Sequence, residues 1–270
     1  MNVTASIPAN PTVLVFDSGL GGLTVLREIA ALRRDLKLVY AADDAVFPYG
    51  RLEDDALIAR VSSVMDDLIP RYKPALVVIA CNTASTLTLP VLRDKYPMPF
   101  VGTVPAIKPA CAQSKTKRIS VLATPGTVKR DYTHALIKEF AGDCTVDLVG
   151  SQWLAPLAEA YLRGEEASDE QIAKEIAPAF KSDGAKTDTV VLACTHYPLL
   201  LERLKELAPW PVEWLDPAPA IARRVASLLP VPGLPLMEPV RLHFSSGKTP
   251  GLVLAKSLKN FGIETAGEAV

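Results

Sequence analysis

The chain has 270 residues, 49% of them apolar and 22% charged, with a formal net charge of −1. That length allows one large or two modest domains with a substantial core, and the absence of long single-sign blocks excludes an electrostatic footprint for nucleic acid or a membrane surface. No run nears the roughly 18 apolar residues of a membrane span, and MNVTASIPANPT lacks the basic start and apolar stretch of a leader, so cytoplasmic residence is expected.

Thr12 to Phe16 is an apolar, β-branched run that predicts a buried strand ending at Asp17-Ser18-Gly19-Leu20-Gly21-Gly22. Leu23, Leu26, Ile29 and Ala30 then keep helical spacing. Leu36 to Ala42 is a second strand, followed by a loop with Phe47-Pro48-Tyr49-Gly50. Leu57, Val61, Val64, Met65 and Leu68 mark an amphipathic helix expected to stop at Pro70. Ala75 to Ala80 is a third strand, apolar throughout as in a parallel sheet covered on both faces. A helix from about Thr83 to Lys95, which Pro90 should distort, leads to a short strand over Pro99 to Gly102.

The second half alternates in the same way. Strands are expected at Arg118–Ala123, Cys144–Val149, Thr189–Ala193, Val212–Leu215 and Val240–Phe244. Helices fall after Thr127, near Trp153–Leu162 and Asp169–Phe180, from Tyr197-Pro198, and over Ala220–Leu229 and Leu252–Leu258. This alternation predicts an α/β chain with open parallel sheets. It also contains a repeat. VVIACNT (77–83) and VVLACTH (190–196) place Cys81 and Cys194 113 positions apart, and Pro105-Ala106-Ile107 recurs as Pro219-Ala220-Ile221 at an offset of 114. Two α/β halves with pseudo-twofold symmetry are expected.

Ligands of open parallel sheets sit beyond the C-terminal strand ends, where helix N-termini present their amides. Cys81-Asn82-Thr83 and Cys194-Thr195-His196 fall at such ends, as do Asp17-Ser18 and Thr124, with Tyr49-Gly50 in the following loop. A cysteine just before a helix is placed where the dipole favours the thiolate. Cys111 and Cys144 lack that setting and are assigned to packing. All four cysteines are read as reduced, since they are few, two end buried strands and the chain is expected in the cytoplasm; Cys-x-x-Cys zinc spacing is absent as well.

Several chemistries compete for these turns. A phosphatase needs Cys-x5-Arg, but Leu87 and Leu200 hold the arginine positions. A Cys-His hydrolase would leave one thiol unused. A zinc site on Cys81, Cys194 and His196 stays open, as does a phosphate cradle in the DSGLGGL loop, which lacks G-x-G-x-x-G and P-loop spacing. Asp43 lies where a ribose-binding acid would fall, so a non-catalytic nucleotide- or anion-binding module stays open too.

The motifs DSGLGGLTVLREI, FPYG, IACNTAS, VPAIKPA, LATPGTVKRDYT and LACTHYPLL, in this order, resemble the glutamate branch of the cofactor-independent aspartate/glutamate racemases, from about Val13 to Arg224. The resemblance implies two α/β domains with the active site in the cleft between them. Residues 1–103 and 211–270 would form a discontinuous first domain, and 104–210 the second. It implies interconversion of L- and D-glutamate for peptidoglycan synthesis, without pyridoxal phosphate or metal. Cys81 would take the α-proton of D-glutamate and Cys194 that of L-glutamate, with Asp17, His196 and Glu159 as proton-relay partners; Asp17 and His196 would also contact the substrate, Asp17 equally serving its ammonium group. Ser18, Asn82, Thr83, Thr124 and Thr195 would bind the amino and α-carboxylate groups, and backbone donors at Tyr49 and Gly50 the side-chain carboxylate. Two departures from the family's usual pattern stand out, Ser151-Gln152-Trp153 ahead of Glu159, and Asp216-Pro217-Ala218. Aspartate or another small acid is the alternative substrate on the same fold. A homodimer is compatible with the resemblance.

Overall fold

The computed structural model describes residues 10–236 and 238–260; the expectation drawn from the extreme N-terminus falls largely outside them. The strands of the first half are β1 (Thr12–Asp17), β2 (Lys37–Ala42), β3 (Leu76–Ile79) and β4 (Phe100–Gly102). Those of the second half are β5 (Arg118–Ala123), β6 (Thr145–Gly150), β7 (Thr189–Ala193), β8 (Glu213–Leu215) and β9 (Arg241–Phe244). Between them run α1 (Leu23–Leu32), α2 (Asp54–Tyr72), α3 (Asn82–Lys95), α4 (Ile107–Gln113), α5 (Pro125–Lys129) and α6 (Asp131–Phe140). Then come α7 (Leu154–Leu162), α8 (Asp169–Ile176), α9 (Leu201–Leu207), α10 (Ala218–Leu228) and α11 (Leu252–Asn260).

Two all-parallel sheets result, ordered β4-β3-β1-β2-β9 and β6-β5-β7-β8. Both faces of the inner strands are covered, which is why β3 and β7 are buried at every position. The register levels their ends. Phe16 is opposite Ile79 in the first sheet, and Ala123 opposite Ala193 in the second. Asp17 and Cys81 therefore leave the first sheet side by side, and Thr124 and Cys194 leave the second in the same manner.

The order β4-β3-β1-β2 maps onto β8-β7-β5-β6, with β9 an addition at the first sheet's edge. β4 and β8 begin 113 positions apart, the offset of the two cysteines. This corrects the expectation that the strand at 213–215 lies past the return to the first domain. It pairs with β7, so the chain leaves the second sheet only after Leu215. A three-residue edge strand carries too little pattern to declare its partner.

The helix after each sheet's outer strand crosses to the other half. α4 follows β4 yet buries Ile107, Ala110 and Cys111 against Ile119, Val121 and Val191 of the second sheet. α10 follows β8 yet packs Ile221, Ala222 and Val225 into the cluster holding Leu26 and Ile29 of α1. Cys144 shares the α4 cluster, in keeping with the packing role expected of it and of Cys111.

Two prolines interrupt less than expected. α2 runs past Pro70 to Tyr72, because a proline in the last turn forfeits one bond only, and Lys73, with φ of 44°, then closes the helix by donating to Ile69 O at 2.9 Å. α3 likewise continues through Pro90. Among the described residues no helix is long and apolar enough to cross a membrane.

Ile29 is wholly buried where α1 meets α10. Ile29→Ala is expected to cost about 2–5 kcal/mol in urea unfolding, through loss of the contact that returns the chain to its first domain.

Candidate active site

Each half contributes a cysteine at the end of an inner strand. Cys81 caps α3, with its thiol 3.7 Å from Ser18 Oγ. Cys194 leads through Thr195 and His196 into a 3-10 turn at Tyr197–Leu200. Both are buried. The expected lowering of a cap cysteine's pKa does not hold for Cys81. Burial, then the charge of Asp17, push its thiol up to about 12, outweighing the Ala84 N–H and Ser18; Cys194 adds to the rise.

Asp17 is fully buried beneath the first glycine loop. Its carboxylate accepts from Gly22 N at 2.7 Å and from Thr195 Oγ1 of the other domain at 3.3 Å. Burial raises its pKa, while the His196 charge and the Gly22 amide oppose that rise.

His196 is the hub on the Cys194 side. Its Nδ1 is 3.9 Å from Cys194 Sγ, its Nε2 is 2.9 Å from Glu159 Oε1, and Phe47 of the FPYG loop lies against its ring at 5.2 Å between centroids. Burial disfavours the imidazolium, but Cys194 and Glu159, with Asp17, carry its pKa well above the usual histidine value. Glu159 is held below its usual range by His196, which overcomes the cost of its burial. Both shifts favour the charged pair, in which Nε2–H donates to Glu159 and Nδ1–H faces the sulfur. Gly21 N lies 3.2 Å from Nε2 and can donate to it when the ring is neutral. Arg163 reaches Glu159 Oε2 at 3.4 Å.

The DSGLGGL glycines serve this pair. Leu20 N donates to Glu159 Oε1 across the cleft. A Cβ at Gly19 would stand 2.3 Å from that oxygen, and one at Gly21 2.4 Å from His196 Nδ1 and 2.6 Å from its backbone N. The phosphate-cradle reading is thus overturned, since the loop's open face is filled by the other domain. Asp43 is likewise occupied. It is buried, bound by both arms of Arg60 and by Tyr49 OH, which removes the ribose-binding reading. Among the described residues no group of three or more His, Cys, Asp or Glu is placed to hold a metal ion, so the zinc reading of Cys81, Cys194 and His196 lapses.

The remaining expected residues gather at the same cleft, with one division. Asn82 is buried and neither polar atom of its amide has a partner, so it is free to bind a ligand. Thr83 Oγ1 is 2.9 Å from Thr124 Oγ1 and 3.3 Å from Thr127 Oγ1, forming a hydroxyl cluster across the domains. Gly50 stands against Thr124. The Tyr49 side chain, however, turns into the first-domain core beside Phe16, leaving only its backbone to the loop. Thr127, Tyr40 and Phe47 were not singled out from sequence. Tyr40 OH donates to Gly19 O at 2.6 Å and fixes the glycine loop. Thr127 had a local signal, because Thr-x-x-Thr lets Thr124 cap α5 by accepting from Thr127 N. Both sequence departures are accommodated. Ser151 accepts from Leu154 N and donates to Glu175, setting the start of α7, and Asp216 accepts from Ala218 N at 2.8 Å, opening α10.

Residues 21–225 match the Asp/Glu/Hydantoin racemase family. The glutamate racemase of Brucella canis is 52% identical over 268 residues, 96% of this chain and 97% of its own, and that of Mesorhizobium japonicum is 53% identical over 255 residues, 93% and 97%. The structure of Escherichia coli glutamate racemase in complex with L-glutamate and the activator UDP-MurNAc-Ala superposes with a TM-score of 0.86 at 42% identity, covering 95% of this chain and 97% of that one. The chain belongs to the Asp/Glu/Hydantoin racemase family, and it shares the fold of the Escherichia coli enzyme. Within that family its relatives place it among the glutamate racemases, which are isomerases.

Two consequences can be measured. Gly21→Ala forces Cβ onto the His196 backbone, so racemisation should fall about 100-fold or more even in folded protein. Glu159→Gln removes a carboxylate that raises the His196 pKa. The imidazolium then loses its proton at lower pH, and the alkaline limb of kcat should move toward lower pH, with kcat down about 100-fold.

Proposed function

We propose that the protein interconverts L- and D-glutamate by a two-thiol mechanism. The observation that carries this reading is that two buried cysteines stand at the ends of equivalent strands in two related domains and face one cleft, near enough that Cys194 adds to the rise in the Cys81 pKa. Inversion at Cα needs a base on one face and an acid on the other. With D-glutamate, the Cys81 thiolate takes the α-proton and becomes a thiol, the electron pair stays on the Cα–carboxylate unit, and the Cys194 thiol donates its proton to the opposite face. With L-glutamate the roles reverse. Each turnover therefore leaves the pair with its thiol and thiolate exchanged.

His196, paired with Glu159, faces the Cys194 sulfur with its Nδ1. Cys81 has no cation of that kind, and Asp17 beside it opposes ionisation. The substrate's ammonium, drawn to Asp17, supplies the missing positive charge, so Cys81 ionises best with glutamate bound. Asn82, Ser18 and the Thr83–Thr124 hydroxyls, with Thr195, donate to the amino acid's α-groups, and the Tyr49–Gly50 backbone meets the distal carboxylate. Donors aimed at the α-carboxylate in a cleft closed to water stabilise the carbanion. D-Glutamate for peptidoglycan, made in the cytoplasm, is the product's proposed use.

The test is a chiral assay in heavy water with no cofactor added. Solvent deuterium should appear at Cα of the product, glutamate should turn over and aspartate should not, and Cys81→Ser and Cys194→Ser should each lose about 1,000-fold or more in kcat. Near-wild-type turnover by either serine variant would sink the two-thiol reading. The cellular role predicts that cells depleted of the protein are rescued by external D-glutamate.

A further inference from the structure

Arg130 lies apart from the groups around the thiols, at the junction where α5 ends and α6 begins in the second domain. Its guanidinium nevertheless reaches the first domain. Nη1 donates to Thr83 O at 2.5 Å and to Thr86 Oγ1 at 3.2 Å, both on α3, and Nη2 donates to Asp54 Oδ1 at 2.7 Å, the first residue of α2. The Arg130 side chain is 7% exposed, and its Nε is buried without a partner.

A buried guanidinium with one unmatched N–H carries a desolvation cost, recovered here only while the two domains are in contact. The first turn of α3 is also a poor place for a cation, since the helix dipole is positive there. The Asp54 carboxylate offsets both disadvantages. Three acceptors spread over two helices suit a planar fork of donors and not a single ammonium. What Arg130 grips is the turn that follows Cys81 and carries Asn82 and Thr83.

We infer that Arg130 is an interdomain clamp, a positioning residue that holds the first turn of α3 against the second domain and sets how readily the cleft closes over glutamate. This rests on closure around glutamate as the working state. Weakening the clamp lowers the fraction of closed protein, and the apparent affinity for substrate falls in proportion. Because the equilibrium constant between enantiomers is one, kcat/KM falls equally in both directions.

The experiment compares Arg130→Ala, Arg130→Lys and Asp54→Asn with the unaltered chain, by steady-state kinetics on both enantiomers and by X-ray scattering without ligand. KM should rise about tenfold or more in Arg130→Ala and by less in the other two, with kcat within about threefold. The ligand-free Arg130→Ala chain should be more expanded, and saturating glutamate should restore its dimensions. Unchanged dimensions overturn the clamp whatever KM does, as does a fall in kcat at constant KM. Should Arg130→Ala fail to fold, the other two carry the test, and an unchanged KM in both overturns it. Scattering reads the clamp without turnover, so failure of the unaltered chain to racemise glutamate would strike the catalytic reading separately.

Discussion

The carboxylate of Glu159 takes a backbone hydrogen bond from Leu20 in the first domain while it pairs with the His196 imidazole of its own. Much of the site's arrangement follows from this contact. It brings a charged pair against bare backbone, which is feasible only because Gly19 and Gly21 have no Cβ to fill the space. It also keeps water from the imidazole, which is buried. The glycine loop is therefore better understood as an interdomain seat than as a ligand cradle.

The frame is nearly symmetric and its electrostatics are not. Equivalent strands end in Cys81 and Cys194, but one thiol has a hydroxyl and a buried carboxylate for neighbours and the other an imidazole. A zwitterionic amino acid brings a cation to one side of Cα and an anion to the other, and an uneven pair of thiols is suited to receive such a ligand. Symmetry of the fold brings the two thiols to equivalent strand ends, while the groups around them differ.

Much of this was legible in the sequence. Apolar runs ending in polar turns located the sheet ends, and the repeat at 113 positions anticipated two matching sheets because parallel strands buried on both faces have a plain signature. Cys81, Cys194, Asp17, Glu159 and His196 were all named, and the structure brings them together. What stayed hidden depended on contacts between distant segments. β8 is three residues long and its sheet is chosen by pairing with β7, not by composition. Tyr49 shares its loop with site backbone, yet its ring is claimed by Asp43 and Phe16. The glycines read as an anion cradle because their neighbour, His196, is 175 residues away along the chain. Arg130 gave no sign at all, since its partners lie on two helices of the other domain.

The exchange of α4 and α10 has a mechanical meaning. Each sheet is finished by a helix that arrives from the other half, so neither half is a closed unit, and cutting the chain between them would strip both cores of a wall. The two crossing segments also run close together, with Val104 and Pro105 of one and Pro217 of the other lining a single cavity. Two adjacent strands of backbone permit rotation about the line that joins them and resist twist about any other. In the proposed reaction such a hinge lets the domains swing apart to release an amino acid and return along the same arc.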